Sequence, residues 1–376
     1  MGTNAVLENH GEDSVAIGRG AGQMDQEGES VAIGRESGNT DQATRSVAMG
    51  YYAGRTSQSE NAISIGNLTG ATQQGQQAIA VEFAAGYNMK SSNCLAIGYI
   101  AGRNTQGSAS MAIGHSQGYE NQGSNRVAIG TQSAIDNQSD HCVAVGIDAG
   151  RVEQGEHGTA LGAHAGRFYQ GLNAIAVGNG AGNTRQGAGS VCVGTLSGFN
   201  DQGKLLITIG GYTMVDNGGE GSIGIGYRAG RSGEGGDCVI IGRQALEWLG
   251  EEGDDTNIDE ELEKEDGEET GGGEDEVDNK IYPRNFVAIC ARACRTQASN
   301  NSITLNGTSD TLNNSVEDSL VIKSVRNATG LNALTHNPAT GEITYSTSSE
   351  ETKENIHEYE RDVEAILQGL VVKEFN

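Results

Sequence analysis

Along most of the chain, apolar residues come in triplets with a small residue between two bulky ones, as in Val15-Ala16-Ile17, Leu95-Ala96-Ile97 and Val143-Ala144-Val145. This is the period-two alternation of a short strand. The triplets return at a fixed step: "SVAIGRGAG" at Ser14 to Gly22 becomes "SVAIGRESG" at Ser30 to Gly38, sixteen residues on. Steps of sixteen from Gly18 land on Gly34, Gly50 and Gly66, miss at Glu82, and then land on Gly at every step from Gly98 to Gly242. Four residues after a landing a second Gly usually follows an Ala, as at Gly54, Gly102, Gly150, Gly166 and Gly182, where a positive φ or a close approach is expected. Eight residues after it stands Gln in most units, from Gln26 to Gln202, a spacing that suits a side-chain ladder.

Sixteen residues are too few for a helical-pair repeat and suit one coil of a parallel β-solenoid, two short strands and two turns. Coils stacked about 4.8 Å apart make a rod on the order of 70 Å from fifteen of them. The bulky first and third residues of each triplet are expected to point inward, with Ala or Ser facing out as a row for close packing against another chain. So thin a coil buries little apolar surface alone, which favours oligomerisation.

Composition agrees with a repeat rod. With 58 Gly, 2 Pro and 5% aromatic residues, the chain lacks the bulk of a large globular core. The Gly is spaced too regularly, and among too much Val and Ile, for a disordered linker. A net charge of -26 argues against nucleic acid as a partner. No apolar window of membrane-spanning length exists, so membrane insertion is not expected, and "MGTNAVLENHGEDS" has no basic or apolar leader segment, so an export signal was either removed or never present. The six cysteines, Cys94, Cys142, Cys192, Cys238, Cys290 and Cys294, lack ligand spacing and read as reduced space-fillers.

After Gly242 the pattern breaks. The chain divides into a β-roll over 1–246, an acidic insertion over 247–284, last rungs and a β-rich neck over 285–347, and a different C-terminal segment over 348–376. The insertion carries 17 acidic residues from Glu247 to Asp278, a density that favours a solvated loop. It has no Asp-x-Asp-x-Asp-Gly loop, so no metal site is expected. "FVAICARACRTQ" resumes the register, with Cys290 and Cys294 in the two Gly places and Asn306 one step later. "GIGYRAG" and "GNGAG" are pieces of the repeat rather than nucleotide loops. His115, His141, His157 and His164 read as surface residues without the shared rung position that a metal ladder requires. The Thr residues keep no register of the kind an ice-binding face needs. No catalytic triad, carboxylate pair or cofactor motif stands out.

"NAISIGNLTG", "SVAIGRGAG" and "SMAIGHSQG" resemble the SVAIG repeats of the YadA-like head domains of trimeric autotransporter adhesins, in register from about Ser14 to Gly242. The resemblance implies an all-β, left-handed parallel β-roll assembled as a homotrimer. The second half of each unit is longer than in the commonest head pattern and contains the Gln. Near the C-terminus, "TGEITYS" followed by a Ser and by "KENI" resembles the junction into the self-cleaving intramolecular chaperone domain of phage endosialidases, tail fibres and fibre proteins of large DNA viruses. The resemblance implies that Ser348 cuts the bond between Thr347 and Ser348 with help from Lys353. A Ser hydroxyl needs a base to become a nucleophile, and a Lys of depressed pKa serves. The family usually has an acidic residue after the Ser; Ser349 stands there and is itself a candidate nucleophile. "EETKENIHEYERDVEAILQGL" has helical composition, and the chain ends at Asn376 after little more than one helix, so a short C-terminal helix and a truncated chaperone are expected.

These resemblances imply a trimeric fibre or head protein on the surface of a virus or phage, attaching to a host surface receptor or glycan and acting on no external substrate. The alternative is a bacterial adhesin head at the cell surface. Such adhesins continue into a coiled-coil stalk, and no heptads follow here, which favours the first.

Overall fold

Alternating triplets at constant spacing have one economical way to pair, which is each with its copy in the next repeat. In the computed structural model they do so. The described residues are 4–5, 8–89, 91–104, 106–119, 122–231, 235–246, 287–289, 302–306, 315, 317, 319–323, 332–336 and 343–347. Val15–Ile17 pairs in parallel with Val31–Ile33, with Ala16 opposite Ala32, and the register repeats rung by rung to Val239–Ile241. A second parallel ladder joins Glu8–His10, Met24–Gln26, Thr40–Gln42, Thr56–Gln58 and Thr72–Gln74. It continues as single bridges such as Asp136 to Val152 and Val152 to Phe168. The chain is therefore an all-β parallel solenoid of about 15 turns at sixteen-residue spacing, with no helix among the described residues.

Val239–Ile241 then pairs directly with Val287–Ile289, 48 residues on, which is three steps of sixteen. Ile303–Asn306 and Leu320–Lys323 extend the same sheet, the last after a step of 17. Asn332–His336 and Ile343–Thr347 form a separate antiparallel pair. The acidic segment, Cys290, Cys294 and the expected helix over 348–376 lie outside the described residues.

The expected facing of the triplets is reversed. The small central residues point inward, Ala32, Ala48, Ala96, Ala144 and Ala176 being fully buried, while Ile17 is 52% and Ile209 42% exposed. The reason is cross-section. Most coils already hold a Gln side chain, a residue before the triplet and the Ala before the second Gly, for example Gln154, Cys142 and Ala149 around Ala144. A branched side chain at the centre has no room, so the pleat places Val and Ile outside. Where the amide column ends after Gln202, the interior turns apolar: Gly218 takes the Gln place, and Leu206, Met214 and Ile240 fill the space, with Gly224 giving way to Met214.

The Gln column is an internal ladder. Gln58 Nε2 donates to Gln74 Oε1 at 3.0 Å, Gln154 Nε2 to Gln170 Oε1 at 2.9 Å, and Gln170 Nε2 to Gln186 Oε1 at 3.0 Å. Each of these amides also reaches the carbonyl of the preceding triplet's first residue, Val47, Val143 and Thr159 respectively. The ladder thus crosses the coil and joins coils to one another. Each bond contributes about 1 kcal/mol net, and a buried group left without a partner costs about 1–3 kcal/mol.

Both Gly columns follow from this packing. At Gly146, φ is +137°, and a Cβ would stand 2.4 Å from the carbonyl oxygen of Gly162. At Gly150, φ is +51°, and a Cβ would stand 2.7 Å from Gln154 Oε1. Glu82, the one miss, keeps a φ of +92°, strained for any residue with a Cβ. Arg126 departs in another way, placing a guanidinium where other rungs have Ser, Cys, Ala, Gly or, once, Leu206. Its Nη1 donates to Gln138 Oε1 and its Nε to the carbonyl of Gly123, while Nη2 has no hydrogen-bond partner. Burial away from water lowers its pKa to about 9.

Gln154→Leu is expected to lower stability by about 2 kcal/mol in urea unfolding, whereas the exposed Gln76→Leu changes it by less than about 0.5 kcal/mol. Equal effects would refute the ladder. Glu82→Gly is expected to raise stability by about 1 kcal/mol by relieving backbone strain, read as an increase in the urea midpoint.

Candidate functional site

Of the two residues that the C-terminal resemblance assigns to self-cleavage, neither Ser348 nor Lys353 falls among the described residues, and Ser349 does not either. The strand Ile343–Thr347 ends immediately before Ser348, and Thr347 is paired with Asn332. The geometry of a Ser–Lys dyad is therefore not on view, and the candidate surfaces are those of the solenoid itself.

The most extended of them is a consequence of the reversed triplets. Outside the coil, the first and third residues of each rung form two apolar columns, from Val15 and Ile17, through Ile63 and Ile65, to Val239 and Ile241, with Val287, Ile289, Ile303 and Leu305 continuing the line. Thr159 interrupts the first column between Val143 and Ile175. The side chains are half-buried or exposed, with Ile17, Met49, Ile65, Leu161, Ile175, Ile209, Ile225, Ile303 and Ile322 among the exposed ones. Strands one rung apart make this a continuous ridge rather than scattered apolar residues. Continuous exposed apolar surface of this kind marks a place where something else packs.

Beside the ridge, the residue after the landing Gly forms a column that is aromatic in places. Phe83 stacks on Tyr99 with centroids 5.3 Å apart, and Tyr99 on His115 at 5.0 Å. Elsewhere in that column Arg35 lies over Tyr51 at 5.5 Å and Arg243 over Tyr227 at 5.9 Å. Thr40, Thr56 and Thr72 also stack in register, a short Thr run that departs from the expectation of none.

At the next corner, buried Asp148 lies among Arg167 at 3.2 Å, His164 at 3.6 Å and Arg151 at 3.8 Å. Burial, and then the Arg167 charge, hold the His164 pKa below its ordinary value, while Asp148 opposes them. One carboxylate facing two guanidiniums is an ion network that ties two rungs, with Asp148 Oδ1 itself buried without a hydrogen bond. The cysteines behave as expected where described: Cys94, Cys142, Cys192 and Cys238 are buried and free. Burial pushes the Cys192 thiol up to about 11, which suppresses the reactive thiolate.

One expectation needs correction. His141 and His157 do share a rung position, sixteen residues apart, and their rings stack with centroids 4.9 Å apart. His115 and His164 sit in other columns, so only this one pair recurs among the four.

Among the described residues no helix is long and apolar enough to cross a membrane. Compared with known protein families, with characterised proteins and with solved structures, the chain has no match in any of the three.

Proposed function

We propose that the chain is the shaft or head of a homotrimeric fibre on a virus or phage particle, a left-handed β-roll that attaches to a host surface receptor or glycan. The observation that carries this reading is the double column of outward Val and Ile. A ridge running along the rod at the rung spacing finds its natural complement in an identical ridge with the same repeat, and burying the two against each other compensates for a core made mostly of Ala. Rungs in register across chains then make a fibre that unfolds slowly, which suits a structure exposed outside a cell.

The expected outcome is a trimeric mass by light scattering at micromolar concentration. Ile65→Lys combined with Ile209→Lys should convert it to monomer while the β-sheet circular dichroism persists, because both side chains point away from the core. A wild-type monomer with an intact β signal would remove the trimer.

The resemblance at the C-terminus supports a second element of the proposal, that the fibre is released from its chaperone by a cut between Thr347 and Ser348. In a chain extended by a complete chaperone domain, Ser348→Ala and Lys353→Ala should each leave the product at full length by mass spectrometry, whereas Ser349→Ala should still cut. Loss of scission in Ser349→Ala alone would move the nucleophile by one residue, and an uncut wild type would reduce the segment to a folding cap.

A further inference from the structure

The solenoid places two histidines and a glutamate at one exposed corner. His141 and His157 occupy the same turn position in adjacent rungs, each with a left-handed backbone, φ +59°. Their main chains are tied to the rung before, His141 N to the Ser124 carbonyl at 3.0 Å and His157 N to the Asp140 carbonyl at 3.2 Å. The rings lie nearly parallel, 7° apart. Glu156, the neighbour of His157, reaches both imidazoles, with its Oε1 3.9 Å from His141 Nδ1 and 3.8 Å from His157 Nδ1. One ligand atom from each of the three residues lies within 4.8 Å of the others. Asp140, one rung below Glu156, is engaged through Oδ1 by the Ser124 amide at 2.7 Å and backs the cluster with a further negative charge.

We propose that His141, Glu156 and His157 bind a borderline divalent cation such as Zn2+, a site separate from the ridge and from the C-terminal segment. The donor set decides the class of ion. Two imidazoles and one carboxylate suit zinc, copper or nickel, whereas calcium and magnesium prefer all-oxygen sites. The distances are close to what is needed, since tetrahedral ligands at Zn–N lengths of about 2.0–2.1 Å lie about 3.3 Å from one another. Rotations of three exposed side chains cover the difference, while the rung spacing holds their Cα atoms in place, so the ordering left to binding is that of the side chains alone. The side chains are about half exposed, at 47%, 50% and 53%, which leaves the fourth ligand position to water. A cation there pins one coil to the next at a turn that is otherwise tied by main-chain bonds.

Calorimetric titration of the full-length protein with ZnCl2 tests this, together with the visible spectrum of the Co2+ form. One zinc per chain should bind in the micromolar range or tighter, with Co2+ bands typical of four-coordination and no displacement by excess CaCl2. His141→Ala, His157→Ala and Glu156→Gln should each weaken binding by about tenfold or more. All three positions are exposed, and an unchanged circular dichroism spectrum of the variants excludes unfolding. Absence of binding at sub-millimolar zinc, displacement by calcium, or full zinc affinity in the His141→Ala/His157→Ala double variant would each overturn the site.

Discussion

The narrow interior of a sixteen-residue coil is the constraint on which the rest of this structure depends. The two turns bring the walls so close that the cross-section admits small side chains and one extended amide, and little else. Ala at the triplet centre, Ala before the second Gly, and Ser, Cys or Ala ahead of the triplet are the usual fully buried occupants of their places. The amide chosen for the remaining space is Gln, long enough to cross the slit and polar enough to satisfy main-chain carbonyls that the thin wall leaves inside. Even the exceptions obey this economy. Leu206, Met214 and Ile240 enter only where Gly218 and Gly224 vacate volume.

From that constraint follows the outer surface. Side chains too large for the slit are expelled by the pleat, so apolar bulk that a globular protein hides is carried outside as a ridge. A monomer built this way holds its rungs through main-chain ladders and amide bonds more than through apolar burial. Its hydrophobic surface remains unspent, and the repeat aligns it along one line. This is why assembly, rather than a pocket, is the kind of function the geometry favours.

The rest of the surface is a set of columns in which neighbouring rungs present the same turn position one above another. A residue sixteen positions away in sequence is an immediate neighbour in space, and chemistry arises wherever two compatible side chains recur at that step. Phe83, Tyr99 and His115 make an aromatic stack in this way, Asp148 and His164 a close polar contact, and His141 and His157 a stacked pair of imidazoles. His141, His157, Asp148 and His164 each have a left-handed backbone, whereas Phe83, Tyr99 and His115 do not.

The sequence by itself determined the solenoid, the step of sixteen, the Gly places and the existence of a Gln column, because each is a periodicity and periodicity survives in one dimension. It also fixed the register beyond the acidic segment, since Val287 lies three steps from Val239. What it left open is which face of the triplet is inside. Val-Ala-Ile alternates equally well either way, and the general preference for burying Val and Ile points to the wrong face. Only the closed coil decided it, because the volume enclosed by two strands and two turns is a property of the folded cross-section and not of any single strand. The same holds for the Gln amides, whose partners are carbonyls 11 residues back and amides 16 residues away, and for Glu156, whose place between two imidazoles exists only once the rungs are stacked.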